Sequence, residues 1–269
     1  MPIDAADLVN ARFYSTSFFN FHLPIHYCIM KAIILAAGKG TRLRPLTYAI
    51  PKPLLPVGGR PVIEYVIDNI LTCKDVDTIY IAVSHLKETI ENYFKHTPRE
   101  NVKIEIVNTL GWETGGDLKM IAIEKEINET VIVAYGDNVT NINIGEMVEF
   151  HRNSKLPATL ALFEVPNEDI SRFGIAKVEN GKILEFKEKP KLEDAPSNLA
   201  NAGYYILDNS ALAALTLKKD KVENLLFPGL AREGKLSAYT YKARLWLDIG
   251  TIQTYKEANK LVEKFVAPE

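Results

Sequence analysis

Six basic side chains and no acidic one fall within the 33 residues from Lys31 to Ile63: Lys31, Lys39, Arg42, Arg44, Lys52 and Arg60. The whole chain carries a formal net charge of −2, so the residues outside this stretch sum to −8. A local asymmetry of this kind suits a pocket for a highly charged anion, most naturally a polyphosphate. Within the stretch, Gly38-Lys39-Gly40-Thr41 follows directly on the apolar run Ala32 to Ala37. Glycines there let the backbone approach phosphate closely and take unusual φ values. Successive N–H groups in such a turn form an anion-binding concavity. Two familiar phosphate motifs fail on spacing. GxxxxGK[ST] is absent, and GxGxxG would need glycine where Leu43 stands and an acidic residue close to 20 positions on. A GxG turn alone is more often merely structural; Arg42 and Lys52 downstream favour the phosphate site.

The elements that would hold such a loop follow from periodicity. Ala32 to Ala37 reads as a buried strand, short and uncharged. Pro45, Pro51, Pro53 and Pro56 forbid a regular helix until Pro61, which suits the first position of one. Val62, Ile63, Val66, Ile67, Ile70 and Leu71 then form an apolar face at helical spacing. Strands are expected over 78–83, 102–107, 131–135 and 158–163, with helices over 86–96, 113–125 and 144–152 between them. Strand and helix in alternation predict an α/β fold, a Rossmann-like, mostly parallel sheet flanked by helices. In such sheets ligands sit beyond the carboxyl ends of the strands, where Gly38–Thr41 and Asp137 both fall.

The second half changes character. Glu179-Asn180-Gly181 between two β-rich runs, 174–178 and 182–186, signals a hairpin. Strands follow over 201–207 and 236–241, with helices over 210–215 and 252–265. These are expected to add a substrate-binding lobe to the sheet within one domain, residues 30–269.

Composition sets outer limits. A length of 269 residues suits one large α/β domain or two small ones. A near-neutral charge balance and a pI near 6.3 argue against a general nucleic-acid binder. Cys28 and Cys73 make neither a disulfide framework nor a zinc motif, and read as reduced thiols of a cytoplasmic protein. No run of about 18 apolar residues exists, so no membrane span is expected. Residues 1–29 carry Asp4 and Asp7 where a secretory signal would want positive charge, and no continuous apolar core. They are expected to form an N-terminal extension outside the fold; docking of their aromatic cluster on the domain or another subunit is the second reading.

AAGKGTRLRPLT (Ala36–Thr47) followed by PKPLLPVGGRPVIEYVID (Pro51–Asp68) resembles the sugar-1-phosphate nucleotidylyltransferases, the nucleotide-diphosphate-sugar pyrophosphorylases. The resemblance continues through YGDN (135–138), SRFGIA (171–176), FKEKP (186–190), SNLANAGYY (197–205) and WLDIGT (246–251), covering Lys31 to about Asn259. It implies an in-line displacement: a sugar-1-phosphate oxygen attacks the α-phosphorus of a nucleoside triphosphate and pyrophosphate leaves. Positioning and charge stabilisation do most of that work. Unit charges about 4 Å apart are worth ~1 kcal/mol in water but ~4 at an effective dielectric near 20, so a half-dry pocket makes each cation count.

The resemblance also implies residue roles. Arg42 would hold the leaving β,γ-phosphates, Lys52 the α-phosphate region and Lys189 the sugar phosphate. Ala36, Ala37, Gly38, Gly40 and Thr41 would line the nucleotide, with Gly116 offering backbone contacts to the base. Glu188 would accept from sugar hydroxyls, and Asn138, Gly174 and Asn201 would contact the sugar. Asp137 and Asp248 would be ligands of a Mg²⁺ cofactor, which favours one or two carboxylates plus phosphate oxygens. Against these stand plainer readings: solvated surface lysines at Lys52 and Lys189, helix or turn caps at Asp137 and Asp248, and a core tryptophan rather than a pocket wall at Trp246. His85, His96 and His151 match no motif and read as surface or helix-packing residues.

The expected substrates are glucose 1-phosphate with dTTP or UTP. NTLGWETGGDLK (108–119) departs from the commoner LGTAGAL pattern, and its TGG resembles the cytidylyltransferase branch. Mannose 1-phosphate with GTP and glucose 1-phosphate with CTP therefore stay open as alternatives. A non-enzymatic nucleotide-sugar-binding regulatory subunit is the rival of another class, and loss of Arg42, Lys52 or either aspartate would have favoured it. The residues are compatible with a homo-oligomer, and call for no nucleic-acid or membrane partner.

Overall fold

Ala32, Ile33 and Ile34 have no solvent exposure because the strand they form runs through a sheet covered on both faces. The computed structural model describes residues 29–266. The first half contains β1 (Met30–Leu35), β2 (Pro56–Val57), β3 (Arg60–Pro61), α1 (Val62–Ile70), β4 (Val76–Val83), α2 (Lys87–His96), β5 (Lys103–Asn108), α3 (Glu113–Glu124) and β6 (Val131–Tyr135). Then come β7 (Asn138–Thr140), α4 (Ile144–Ser154), β8 (Ala158–Glu164), β9 (Gly174–Glu179), β10 (Lys182–Glu188) and β11 (Leu199–Leu207). The chain finishes with α5 (Asn209–Ala214), α6 (Leu226–Arg232), β12 (Leu236–Thr240), β13 (Trp246–Asp248) and α7 (Ile252–Val266). The extension expected over residues 1–29 lies outside the described residues except for Ile29, which is exposed.

Nine strands form one sheet in the order β5-β4-β1-β6-β11-β8-β12-β10-β9. The α/β expectation holds, with one difference: β5, β4, β1 and β6 are parallel, but β11 enters antiparallel beside both β6 and β8. From there the sheet is mixed, β8–β12 being parallel and β12–β10–β9 antiparallel. A further pairing of Ala200 with Ile175 returns β9 to β11. The strand–helix alternation that predicts parallel pairing stops near residue 164, and the hairpin takes over. Its turn residues have φ 51° at Asn180 and 73° at Gly181, the left-handed pair that a two-residue hairpin loop demands.

Apolar clusters lie on the two faces of the sheet: one includes residues of α1, α2 and α4, the other residues of α3, α5 and α6. The helix α6 has no counterpart among the expected elements, and it contains Pro228-Gly229. Pro228 is only the third residue of the helix, where no intrahelical N–H bond is lost. A third cluster bears most on function. Leu43 and Leu55 of the basic stretch pack with Val139 of β7, Ile249 beside β13, and Ala258 and Val262 of α7. Burial of each such leucine is worth about 1.5–3 kcal/mol, so the loop is clamped to both aspartate-bearing segments from below.

Candidate active site

The chain leaves β1 into Ala36–Thr41 at the carboxyl end of the parallel strands. Ala36 donates its N–H to Ala82 O at 3.1 Å, and Ser84 Oγ donates to Ala37 O at 2.7 Å. A Cβ at Gly38 would meet nothing within 4 Å, so the loop's face there is open to an approaching ligand. Gly40 sits at φ +60°, where a Cβ would lie 2.9 Å from Thr47 Cγ2 and 3.3 Å from Lys52 Cβ. The same contact brings Lys52 back under the loop, and Thr47 Oγ1 locks it by donating to Gly40 O at 2.8 Å. Buried Leu43 anchors the short turn Thr41–Leu43, which leaves Thr41 and Arg42 exposed.

Lys52 forms an ion pair with Asp137, which follows β6 through Gly136. Parallel pairing of Leu35 with Tyr135 explains the meeting, since both loops leave neighbouring strands at the same level. Asp248 arrives by a pairing not foreseen from the sequence: β13 runs antiparallel to β7, with Asp248 opposite Asn138. Ile249 donates its N–H to Asp137 O at 3.2 Å, so the two aspartates stand on adjoining backbone. A Cβ at Gly250 would lie 2.6 Å from Asp248 Oδ2 and 3.6 Å from Arg42 Nη2, which brings Arg42 to the same corner.

Two carboxylates offering hard oxygen donors fit a Mg²⁺ that takes its remaining ligands from phosphate and water. Among the described residues no cluster of three or more His, Cys, Asp or Glu forms a self-sufficient metal site. Arg172, not singled out in sequence, contacts Asp248 Oδ1 and Asp169 Oδ1 at 2.8 Å each. Burial alone would lower its pKa, but the bonds to these aspartates raise it. Its signal was the SRFGIA stretch, but nothing in that stretch names a partner 76 positions on.

The sugar-side candidates lie on β9, β10 and β11, with Asn138 on β7. Gly174 pairs with Glu188, and a Cβ at Gly174 would lie 2.3 Å from Phe186 Cζ and 2.9 Å from Glu188 Oε2. Lys189 turns at φ +48°, donates its N–H to Phe173 O at 3.0 Å, and extends a half-exposed side chain whose Nζ is 3.7 Å from Glu188. Buried Asn201 accepts from Gly203 N–H at 2.8 Å inside an irregularity of β11. Asn138 donates to Ala202 O at 3.2 Å while its Oδ1 is buried without a partner, an acceptor aimed at nothing in the protein. Trp246 is partly buried against the core: it stacks on Phe163 at 4.9 Å and donates Nε1 to Ala202 O at 3.2 Å.

At Gly116 the backbone amide is already engaged within the protein. Gly115 and Gly116 donate their N–H groups to Asp220 O at 2.9 and 3.3 Å, so neither amide hydrogen is free for a base. A Cβ at Gly116 would lie 2.3 Å from Lys218 O, so glycine is required by the segment crossing it. The loop before it is ordered by Asp117, which accepts from Trp112 N–H at 2.8 Å and whose pKa is raised by burial. His151, by contrast, is a buried packing residue, its Nδ1 2.7 Å from Thr159 Oγ1.

The family model described as "Nucleotidyl transferase" matches residues 31–264. UTP--glucose-1-phosphate uridylyltransferase of Synechocystis sp. is 35% identical over 243 residues, covering 85% of this chain and 62% of that protein. Mannose-1-phosphate guanylyltransferase of Mycobacterium tuberculosis is 30% identical over 243 residues, covering 88% of this chain and 66% of that one. The chain thus spans less than two thirds of either relative. A solved structure of apo-UDP-glucose pyrophosphorylase superposes with a TM-score of 0.76 at 25% identity, covering 88% of this chain and 99% of the other. No helix among the described residues is long and apolar enough to cross a membrane.

Proposed function

Since the chain belongs to the sugar-1-phosphate nucleotidylyltransferase family, we propose that it transfers a nucleotidyl group from UTP or dTTP to glucose 1-phosphate, with Mg²⁺ as cofactor. The carrying observation is the ion pair of Lys52 with Asp137 beyond the carboxyl end of β6, with Asp248 brought alongside by its pairing with Asn138 and by the bond from Ile249 N–H to Asp137 O. Two anions must meet for this reaction, and charge must move onto pyrophosphate. Lys52 and Arg42 are the cations for the triphosphate; Lys189, on a strained turn beside Glu188, is the cation for the sugar phosphate. Asp137 and Asp248 would hold Mg²⁺, which when bound neutralises phosphate charge as a Lewis acid. Asn138 Oδ1 is a ready acceptor for a sugar hydroxyl, because it is buried and unpaired. The clamped loop and the paired β7–β13 end pre-organise these groups, so that little reorganisation remains for the reacting complex.

The test is a matrix of five nucleoside triphosphates against several sugar 1-phosphates, read by Mg²⁺-dependent pyrophosphate release. Fastest turnover with glucose 1-phosphate and UTP or dTTP is the expected result. Preference for GTP with mannose 1-phosphate, as the similarity to the Mycobacterium protein would suggest, or for CTP with glucose 1-phosphate, would reassign the substrate. Tight nucleotide-sugar binding without turnover for any pair would overturn the enzymatic reading in favour of a regulatory subunit.

A further inference from the structure

Glu223 is an acidic side chain in the wrong solvent. It is 6% exposed, just before α6, and burial pushes its carboxyl pKa up. Among the described residues no lysine, arginine or histidine pairs with it; its partners are two hydroxyls and its own backbone N–H. Tyr135 Oη donates to Oε1, and Thr114 Oγ1 donates to Oε2 at 2.9 Å. Thr114 Oγ1 in turn accepts from Val222 N–H at 3.1 Å. A buried carboxyl without a countercharge is costly unless hydrogen bonds satisfy it.

What those hydroxyls belong to gives the residue its meaning. Tyr135 ends β6, two positions before Asp137, and its ring fills the space beside Gly203, where a Cβ would lie 2.8 Å from Tyr135 Cδ2. Thr114 is the second residue of α3 and precedes Gly115-Gly116. Loop 111–116 is itself under conformational constraint, with φ +66° at Gly111 and +61° at Glu113. The loop and the strand end therefore meet through one carboxyl group.

We propose that Glu223 is a positioning residue that fixes loop 111–116 against the strand end carrying Asp137, and so sets where a bound triphosphate's α-phosphorus lies relative to the cations. The inference rests on the nucleotidyl-transfer reading above. In-line displacement is sensitive to such placement, since a 1 Å error remote from the chemistry can cost about 10²-fold in rate.

The experiment uses the full chain and variants Glu223→Ala, Glu223→Gln, Tyr135→Phe and Thr114→Val, with circular dichroism to check folding. Steady-state pyrophosphate release gives kcat and both KM values, and isothermal titration with UTP and dTTP gives nucleotide affinity without turnover. Glu223→Ala is expected to raise the nucleotide KM and Kd roughly tenfold or more and lower kcat, with the sugar-phosphate KM moving less than about threefold. Glu223→Gln, which keeps the shape and one acceptor, restores most of the loss. A folded Glu223→Ala with nucleotide KM and Kd within about twofold of wild type overturns the proposal, as does an equal rise in both KM values. If Glu223→Ala does not fold, the single hydroxyl variants decide: the same KM split in each supports the proposal, and its absence overturns it. If the wild type itself turns over no pair, the activity reading fails, and the titrations alone decide the role of Glu223.

Discussion

Lys52 and Asp137 stand 85 positions apart in the chain and form an ion pair, with 14% and 31% of their side chains exposed. Neither is paired with a sequence neighbour. The contact exists because Gly40 lets the loop fold over Lys52 Cβ and because β1 and β6 are adjacent and parallel. In a cleft that is half dry, the pair keeps both charges compensated while leaving each able to turn to an incoming anion or cation. Lys52→Ala should therefore leave the melting temperature nearly unchanged and lower kcat/KM by roughly 10²–10³, the scale seen on removing one preorganised stabiliser of developing charge. An unchanged rate in pyrophosphate release would return Lys52 to the category of solvated lysines.

Asp137→Asn removes one of two carboxylates on adjoining backbone. Mg²⁺-dependent pyrophosphate release should fall below detection, and Mn²⁺ binding in the presence of nucleotide, followed by electron paramagnetic resonance, should weaken. Undiminished Mn²⁺ binding would mean that Asp137 is only a turn cap after β6.

Arg172 competes for the second carboxylate. Its guanidinium lies 2.8 Å from Asp248 Oδ1, but 43% of its side chain is exposed, so the pair is worth no more than about 1 kcal/mol. Arg172→Gln should accordingly tighten apparent Mn²⁺ affinity by no more than about fivefold, measured by the same resonance titration. Weaker Mn²⁺ binding in the variant would show instead that Arg172 holds Asp248 in its working orientation.

The basic loop was legible in the sequence because its signals are local: an apolar run, the turn glycines Gly38 and Gly40, and a charge excess within 33 residues. The hairpin at Asn180-Gly181 was legible for the same reason, two left-handed positions marked by the two residue types that tolerate them. What was not legible depends on distant pairing. The three-residue strands β7 and β13 are too short to carry a period, yet their register sets Asp248 beside Asp137. Glu223 meets partners 88 and 109 positions away, and Arg172 meets one 76 away. Gly116 was noticed through its motif, but the reason for a glycine there is the crossing backbone at Lys218, which the local sequence does not reveal.

That crossing makes a clean stability test. A methyl at Gly116 would approach Lys218 O to 2.3 Å, a backbone atom that cannot rotate away. Gly116→Ala should destabilise the fold by about 1–3 kcal/mol as overpacking, seen as a lower midpoint in urea unfolding. Gly38→Ala, where a Cβ meets nothing within 4 Å, should leave the midpoint almost unmoved and instead weaken nucleotide affinity. Equal midpoints for the two variants would mean that the 216–222 segment yields where the packing says it cannot.

His151 offers a prediction about pH. It is buried on α4, its Nδ1 lies 2.7 Å from Thr159 Oγ1, and that hydroxyl lies 2.7 Å from Ser237 Oγ. Burial lowers its pKa below the ordinary 6.5, outweighing the opposing pull of Asp208, while Arg152 adds to the lowering. The native state therefore binds fewer protons than the unfolded state just below pH 6.5. The stability this represents is present above pH 6.5 and is lost as pH falls from there toward the native pKa, at up to about 1.4 kcal/mol per pH unit. Asp117 and Glu223, whose carboxyl pKa values burial raises, act oppositely at lower pH, so the wild-type curve alone would mix these effects. The difference between wild type and His151→Gln separates them, because the carboxyls are common to both. Between pH 7 and about 5 the wild type should lose stability more steeply than the variant; parallel curves would mean that His151 takes up its proton in the native fold as readily as in the unfolded chain.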